Sequence, residues 1–292
     1  MKYKPTCKLS ILFVVAVLAT LLYAPSVSAA SILGSAADFA VLAYSQVTNS
    51  GSTTITGNVG VYPGTSIGMT GISITGTFDS ADTAAGSAKT GLSKAYTALN
   101  NMAPTVTLTD PDLTGDHLSS GVYAFSGGPA SVGLDVGGIL YLNAQGKNNA
   151  YWVFQIPYGL NTLANSAVEV YNTGSSNTAT YGVFWVVGSQ ATLGTGTAFE
   201  GNILAYSSIT LNTGATIYNG RALAENGEVA MYGNTISIVC PNGGPGYDQA
   251  LYYNASGAIV PVGPSAVPVP ATMLLLGPGL VGLAAIRRRL KK

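Results

Sequence analysis

Ala191-Thr192-Leu193, Ile209-Thr210-Leu211 and Val229-Ala230-Met231 decide the fold. The three triplets share one pattern, an outer apolar pair around a small residue. They follow one another after eighteen and then twenty residues. Behind each comes a polar corner and a second apolar position: Phe199, Ile217 and Ile236. Alternate residues of an extended chain point to opposite sides. Ala191, Leu193, Ile209, Leu211, Val229 and Met231 are therefore predicted to point inward, and Thr192, Thr210 and Ala230 outward. On the next strand Phe199, Ile217 and Ile236 point in, and Ala198, Thr216 and Thr235 out. One such unit cannot bury its apolar side alone, but a stack of units can. The predicted fold class is mainly β, a parallel β-solenoid.

The pattern spreads outward from there. Val153-Phe154-Gln155-Ile156 is echoed thirty residues on by Val183-Phe184-Trp185-Val186, and Asn161-Thr162-Leu163 by Ala191-Thr192-Leu193. Residues 31–78 are also β-like, for example Phe39-Ala40-Val41-Leu42-Ala43 and Thr53-Thr54-Ile55-Thr56. Between the two β regions, residues 79–102 carry alanines and leucines at steps of three and four, which predicts one long α-helix. Asp79 or Ser80 is placed to cap it, and Pro104 to end it. The simplest assembly is a solenoid built from an N-terminal and a C-terminal piece, with the helix alongside.

The two ends differ in kind. Lys2, Lys4 and Lys8 precede an apolar run from Leu9 to Leu22 and a small-residue stretch to Ala30, which reads as a removable signal peptide over residues 1–30. The domain is assigned to residues 31–240. Gly and Pro mark residues 241–267 as a linker. Residues 271–286 carry no charge and are followed by Arg287, Arg288, Arg289, Lys291 and Lys292. An apolar segment with a basic flank inserts with the basic end inward. Pro268-Val269-Pro270 and Ala271-Thr272-Met273-Leu274-Leu275-Leu276-Gly277, with the three arginines, resemble a PEP-CTERM sorting signal over residues 268–292. The family motif has Glu where Val269 stands. The resemblance implies an exosortase-type sorting protease as partner, a membrane anchor, and a Gram-negative cell that makes exopolysaccharide. The predicted location is the cell surface, reached by export through the inner membrane.

All twelve acidic residues fall within residues 31–267, against only Lys89, Lys94, Lys147 and Arg221. The domain is thus about −8 (4 − 12), which argues against a nucleic-acid partner. Once the signal peptide has gone Cys240 stands alone, so no internal disulfide is available. His117 is the single histidine, and the aspartates around it lack the spacing of a calcium loop. No nucleotide or hydrolase motif is present. The expectation is a protein with no cofactor, no metal and no catalytic residues.

Several stretches together resemble the microbial ice-binding protein family. They include Ile32-Leu33-Gly34-Ser35-Ala36-Ala37-Asp38-Phe39-Ala40-Val41-Leu42-Ala43, Ile55-Thr56-Gly57-Asn58-Val59-Gly60, Gly201-Asn202-Ile203-Leu204-Ala205 and Leu211-Asn212-Thr213-Gly214-Ala215-Thr216. The resemblance implies a right-handed, discontinuous β-helix of triangular section with a helix packed along it. It also implies a flat ice-contacting face. Ice offers no charge to grip, so a binder needs a rigid array that holds ordered water at lattice-like spacing. Stacked strands supply rows ~4.8 Å apart, and threonine, stiff at χ1, suits them. The ice-contact candidates are Thr192, Thr195, Thr197, Thr210, Thr213, Thr216 and Thr235. The alternative is that these residues merely suit exposed strands and corners. A matrix protein binding exopolysaccharide is the rival reading, with Tyr151, Trp152, Trp185, Tyr206 and Tyr218 as sugar platforms.

Overall fold

The computed structural model describes residues 31–262 apart from Met69, residues 127–130, 175–179 and 240–246, and Ala255. The predicted signal peptide and sorting signal lie outside the described residues.

Each coil of the chain lays down three strands, and successive coils stack in parallel. The stack has three faces. The first, called the threonine face here, is a seven-stranded sheet. Its order is Val132–Leu134, Leu160–Thr162, Ala191–Leu193, Ile209–Leu211, Val229–Tyr232, Gln46–Ser50 and Ser66–Ile67. The other two faces are halves of one fifteen-stranded sheet. Ala198–Ala205 and Thr216–Ala224 run from one half into the other and bend between them. Glycine is required at that bend. Gly201 has φ +102, and a Cβ on Gly220 would sit 1.8 Å from the carbonyl oxygen of Gly201.

The apolar half of the alternation fills the interior as predicted. Ala191, Leu193, Ile209, Leu211, Val229, Met231, Phe199, Ile217 and Ile236 are all buried in one cluster. Aromatic rings stack along the axis within it, Phe154 on Trp185 at 4.1 Å. Burying each large side chain contributes about 1.5–3 kcal/mol, so the interior is the main source of stability.

The solenoid is discontinuous. Phe39–Ala43 pairs with the Arg221–Ala224 end of Thr216–Ala224, and Gln46–Ser50 pairs with Val229–Tyr232. Thr53–Thr56 pairs with Thr235–Ser237. The N-terminal coils thus extend the stack that the C-terminal coils begin. The last N-terminal strand is Phe78–Ser80, while the chain resumes at Val106–Leu108, at the far end. Between them on this face lie Asn58–Val61, Phe39–Ala43, 221–224, 202–205, Gly182–Val187, Tyr151–Ile156 and Gly121–Phe125. Eight steps between strands cover ~38 Å.

Helix α1 (Thr83–Asn100) spans most of that distance, ~27 Å over its 18 residues. It lies on this helix face, burying Ala85, Ala88, Lys89, Leu92, Ala95 and Leu99. Ala88, Leu92, Ala95 and Leu99 share a cluster with Leu42, Val122, Val153, Phe184, Val186, Leu204 and Leu223. The helix is shorter than its predicted 79–102, and its cap is neither Asp79 nor Ser80. Both belong to the strand Phe78–Ser80, and Asp82 caps instead, accepting from the Ala85 N–H at 2.8 Å.

The predicted linker also needs correction. Residues 247–262 are packed on the domain, with an antiparallel pair of strands, Leu251–Tyr253 and Ile259–Pro261. Tyr247, Asp248, Ala250 and Leu251 are buried. The Gly/Pro composition suggested a tether, but the segment finds backbone partners on distant coils. The Val183 N–H donates to the Tyr247 carbonyl at 3.0 Å.

Candidate functional site

The outward side of the threonine face carries one registered central column. Gly133, Asn161, Thr192, Thr210, Ala230 and Thr48 stand beside one another on successive strands. None carries a charge. Parallel pairing sets their spacing at ~4.8 Å, and the χ1 stiffness of threonine holds each methyl and hydroxyl in place. Thr48, Thr192 and Thr210 are half-buried and Ala230 is only 6 % exposed, so the surface is low and even. Two flanking columns border it, Gln190, Ser208, Glu228, Gln46 and Ser66 on one side, and Leu163, Gly194, Asn212, Tyr232 and Ser50 on the other. The single carboxylate among them, Glu228, accepts from Gln46 Nε2 at 2.6 Å. Tyr232, 44 % exposed, and Leu163, 40 % exposed, are the bulky projections in that second column.

The corner leading off this face turns at Gly196, Gly214 and Gly233, with φ of 69°, 71° and 65°. Thr195 and Thr213 stand exposed at its rim. Thr197 does not. It is fully buried, and its hydroxyl bonds Thr162 Oγ1 at 3.0 Å and Ser166 Oγ at 3.2 Å. The prediction of Thr197 as a contact residue is therefore overturned. It belongs to an internal polar ladder, continued by Asn234, whose Nδ2 donates to the carbonyls of Asn212 and Ala215.

Thr216 and Thr235 lie beyond that corner, on the third face. Their column runs Ile139, Ala167, Ala198, Thr216, Thr235, Thr54 and Ser73. It is uncharged too, but its neighbour is not. Tyr141, Glu169 and Tyr218 stand in the adjacent column with Glu200. Burial pushes the Glu200 carboxyl up to about 7; the Val170 N–H opposes this, Glu169 adds to it, and a Tyr247 bond opposes it. The seven threonine candidates are thus not brought together. Two stand on the threonine face, two at its rim, two on the next face and one inside. Thr48, which completes the central column, escaped the sequence reading. Its signal was Val47-Thr48-Asn49, which repeats the alternation of Val229-Ala230-Met231 in the far half of the chain.

The proposed sugar platforms scatter. Trp152 and Trp185 are core residues, 0 % and 1 % exposed, and cannot meet a ligand. Tyr151 and Tyr218 are half-buried, and Tyr206, 50 % exposed, lies beside Tyr96 of α1 at 6.2 Å. On the third face His117 stacks on Tyr141 at 4.5 Å and meets the Tyr171 hydroxyl. Asp110 and Asp112 accept from the N–H groups of Asp112 and Thr114, which fixes their turn.

Comparison with known proteins agrees with this geometry. The profile of a family described as Ice-binding-like matches residues 41–237. An ice-binding protein of Nostoc sp. (strain HG1) is 41% identical over 265 residues, covering 90% of this chain and 88% of that protein. One from Flavobacterium frigoris (strain PS1) is 32% identical, covering 70% and 75%. Among solved structures, the ice-binding protein of the Antarctic ascomycete Antarctomyces psychrotrophicus superposes with a TM-score of 0.63 at 34% identity, covering 72% of this chain and 98% of that one. An ice-binding protein with antifreeze activity from an Arctic yeast superposes with a TM-score of 0.62 at 28% identity, covering 71% and 94%. A discontinuous stack of parallel strands, a helix along one face and this extent of shared sequence leave one assignment: the chain belongs to the ice-binding-like family.

Proposed function

We infer that this chain is an exported ice-binding protein that adsorbs to ice through its threonine face and works by adsorption alone. The central column of Asn161, Thr192, Thr210, Ala230 and Thr48 carries the reading. It is uncharged, even, and fixed in spacing by the backbone. A surface of this kind can order water without releasing a strongly hydrated ion. The third face is the poorer candidate because Glu169 and Glu200 break its array. The relatives named ice-binding proteins support the same ligand.

The test uses the purified chain in a nanolitre osmometer with ice-crystal microscopy. Faceted crystals and a freezing-point gap are expected. Thr192→Tyr/Thr210→Tyr should remove both with the fold intact. Round crystals and no gap from the unaltered chain would reject ice as ligand. Export by the N-terminal segment and retention at the cell surface by residues 268–292 belong to the same proposal. The hydropathy of both ends supports them, and fractionation of expressing cells tests them. The exopolysaccharide reading has less support, because Trp152 and Trp185 are buried and Tyr151 and Tyr218 half-buried.

A further inference from the structure

The two ends of the described chain meet at one place. Ser31 bridges Tyr252, and the Ile32 N–H donates to the Leu251 carbonyl at 3.2 Å. Ser31 Oγ donates to the Asp248 carbonyl at 3.1 Å. From there residues 247–262 run as a strap along the corner between the helix face and the third face. Asp248 bridges Gly182, the Tyr247 N–H donates to the Asn219 carbonyl, and Asn202 Nδ2 donates to the Tyr247 carbonyl at 2.6 Å. The last fastening is Asn149 Nδ2 on the Val262 carbonyl at 2.7 Å. Asn149, Gly182, Asn202 and Asn219 all stand where a coil turns onto the helix face. In a triangular section that corner is the one opposite the threonine face.

One side chain locks both ends. Arg221, 3 % exposed, donates through Nε and Nη2 to the Ala37 carbonyl and through Nη1 to Asn202 Oδ1 at 2.7 Å. Its Nη1 also lies 3.5 Å from Asp248 Oδ1. It thus ties the N-terminal lead-in and the C-terminal strap to the middle of the stack.

We propose that the domain is built to hold ice against a pull. The chain beyond Val262 suspends it from the corner opposite the threonine face, and the strap with Arg221 and Asp248 is the clasp that takes the force. This rests on the reading of the threonine face as the ice contact. The partner at the other end is a membrane, entered by the uncharged segment 271–286 with its basic flank. A pull on the strand Thr235–Ser237 alone would peel the coil it ends, breaking bonds in turn. A pull through the strap must first free Val262 from Asn149 and then Asp248 from Gly182 and Arg221, so no coil unravels until the strap has been stripped off. Forced unfolding is governed by the barrier, not by the equilibrium.

The experiment attaches the full chain to beads through a tag after Lys292 and brings an ice front to them. Capture of beads is expected, with none for Thr192→Tyr/Thr210→Tyr on the same attachment. If the free chain facets ice but the attached chain captures none, the proposed orientation is wrong. If the free chain does not facet ice, the reading of the face itself has failed. Optical-tweezer pulling of ice-held chain then tests the clasp. Asp248→Asn, and separately Asn149→Ala, should lower the rupture force severalfold while the freezing-point gap of the free chain stays unchanged. An unaltered rupture force in both variants would overturn the clasp.

Discussion

At the scale of single residues, the column on the threonine face is a test bed because neighbours stand in fixed register. Ala230 is the gap between Thr210 and Thr48. Ala230→Thr should widen the freezing-point gap at a stability cost of about 1 kcal/mol, because Ala230 is only 6 % exposed and the larger side chain must be fitted between Thr210 and Thr48. Glu200 supplies a pH test. Its folded pKa of about 7 lies above the ordinary 4.5, so the folded chain holds this proton more readily than the unfolded chain does. The group therefore favours folding most at low pH and loses that contribution as pH rises through 7. Glu200→Gln should be more stable than the parent at pH 8, by up to about 3 kcal/mol, with the difference closing toward pH 4. Thermal melts across that range would measure it. The sequence told inside from outside correctly wherever strands alternate, as at Thr192 and Thr210. The choice of Thr197 failed by departing from that rule, since alternation counted back from inward Phe199 through outward Ala198 places Thr197 inside.

At the scale of elements, α1 offers two glycines with opposite expectations. Replacing glycine by alanine inside a helix gains ~1 kcal/mol from propensity. At Gly86 the nearest atoms to the new Cβ would be those of the Tyr62 ring, at 3.2 Å, and that ring is at the surface and can swing. Gly86→Ala should be neutral or stabilising. At Gly91 the Cβ would lie 2.8 Å from the Leu33 carbonyl oxygen, part of the segment that packs under the helix. Gly91→Ala should destabilise despite its propensity, and chemical denaturation would show the opposite signs. The helix itself was legible from its period, and its packing face from the alanine and leucine stripe. Its start was not, because Phe78–Ser80 pairs with Asn58–Val61 and uses up the residues that resembled a cap. The strap was hidden for a similar reason. Its partners lie far away in sequence, Asp248 with Arg221 and Val262 with Asn149, and composition alone reports only glycine and proline.

At the scale of the molecule, discontinuity governs folding. Val47 pairs with Val229 and Val41 with Ala222, so the N-terminal coils have no platform until the C-terminal ones exist. Such long-range pairing slows folding. A circular permutant makes the point testable. Joining Val262 to Ser31 and opening the chain between Asn101 and Thr105 would place every coil in axial order. It should refold faster than the parent, measured by stopped-flow fluorescence of Trp152 and Trp185, while keeping its ice activity. Removing the charge of Asp248 should cost ~3–5 kcal/mol, because it strands a buried Arg221. The repeat pattern, the helix and the two-piece assembly were all readable from the chain. The closing of both ends on one buried guanidinium was not, since a lone arginine carries no periodicity.

The pitch of the threonine column is set by the backbone, while its contents are set by side chains. Substitution can rewrite what stands at each point of the grid, but the grid constant is inherited from the peptide bond and stays put. A lineage of such proteins can therefore tune its grip one character at a time, on ruled paper whose lines never move.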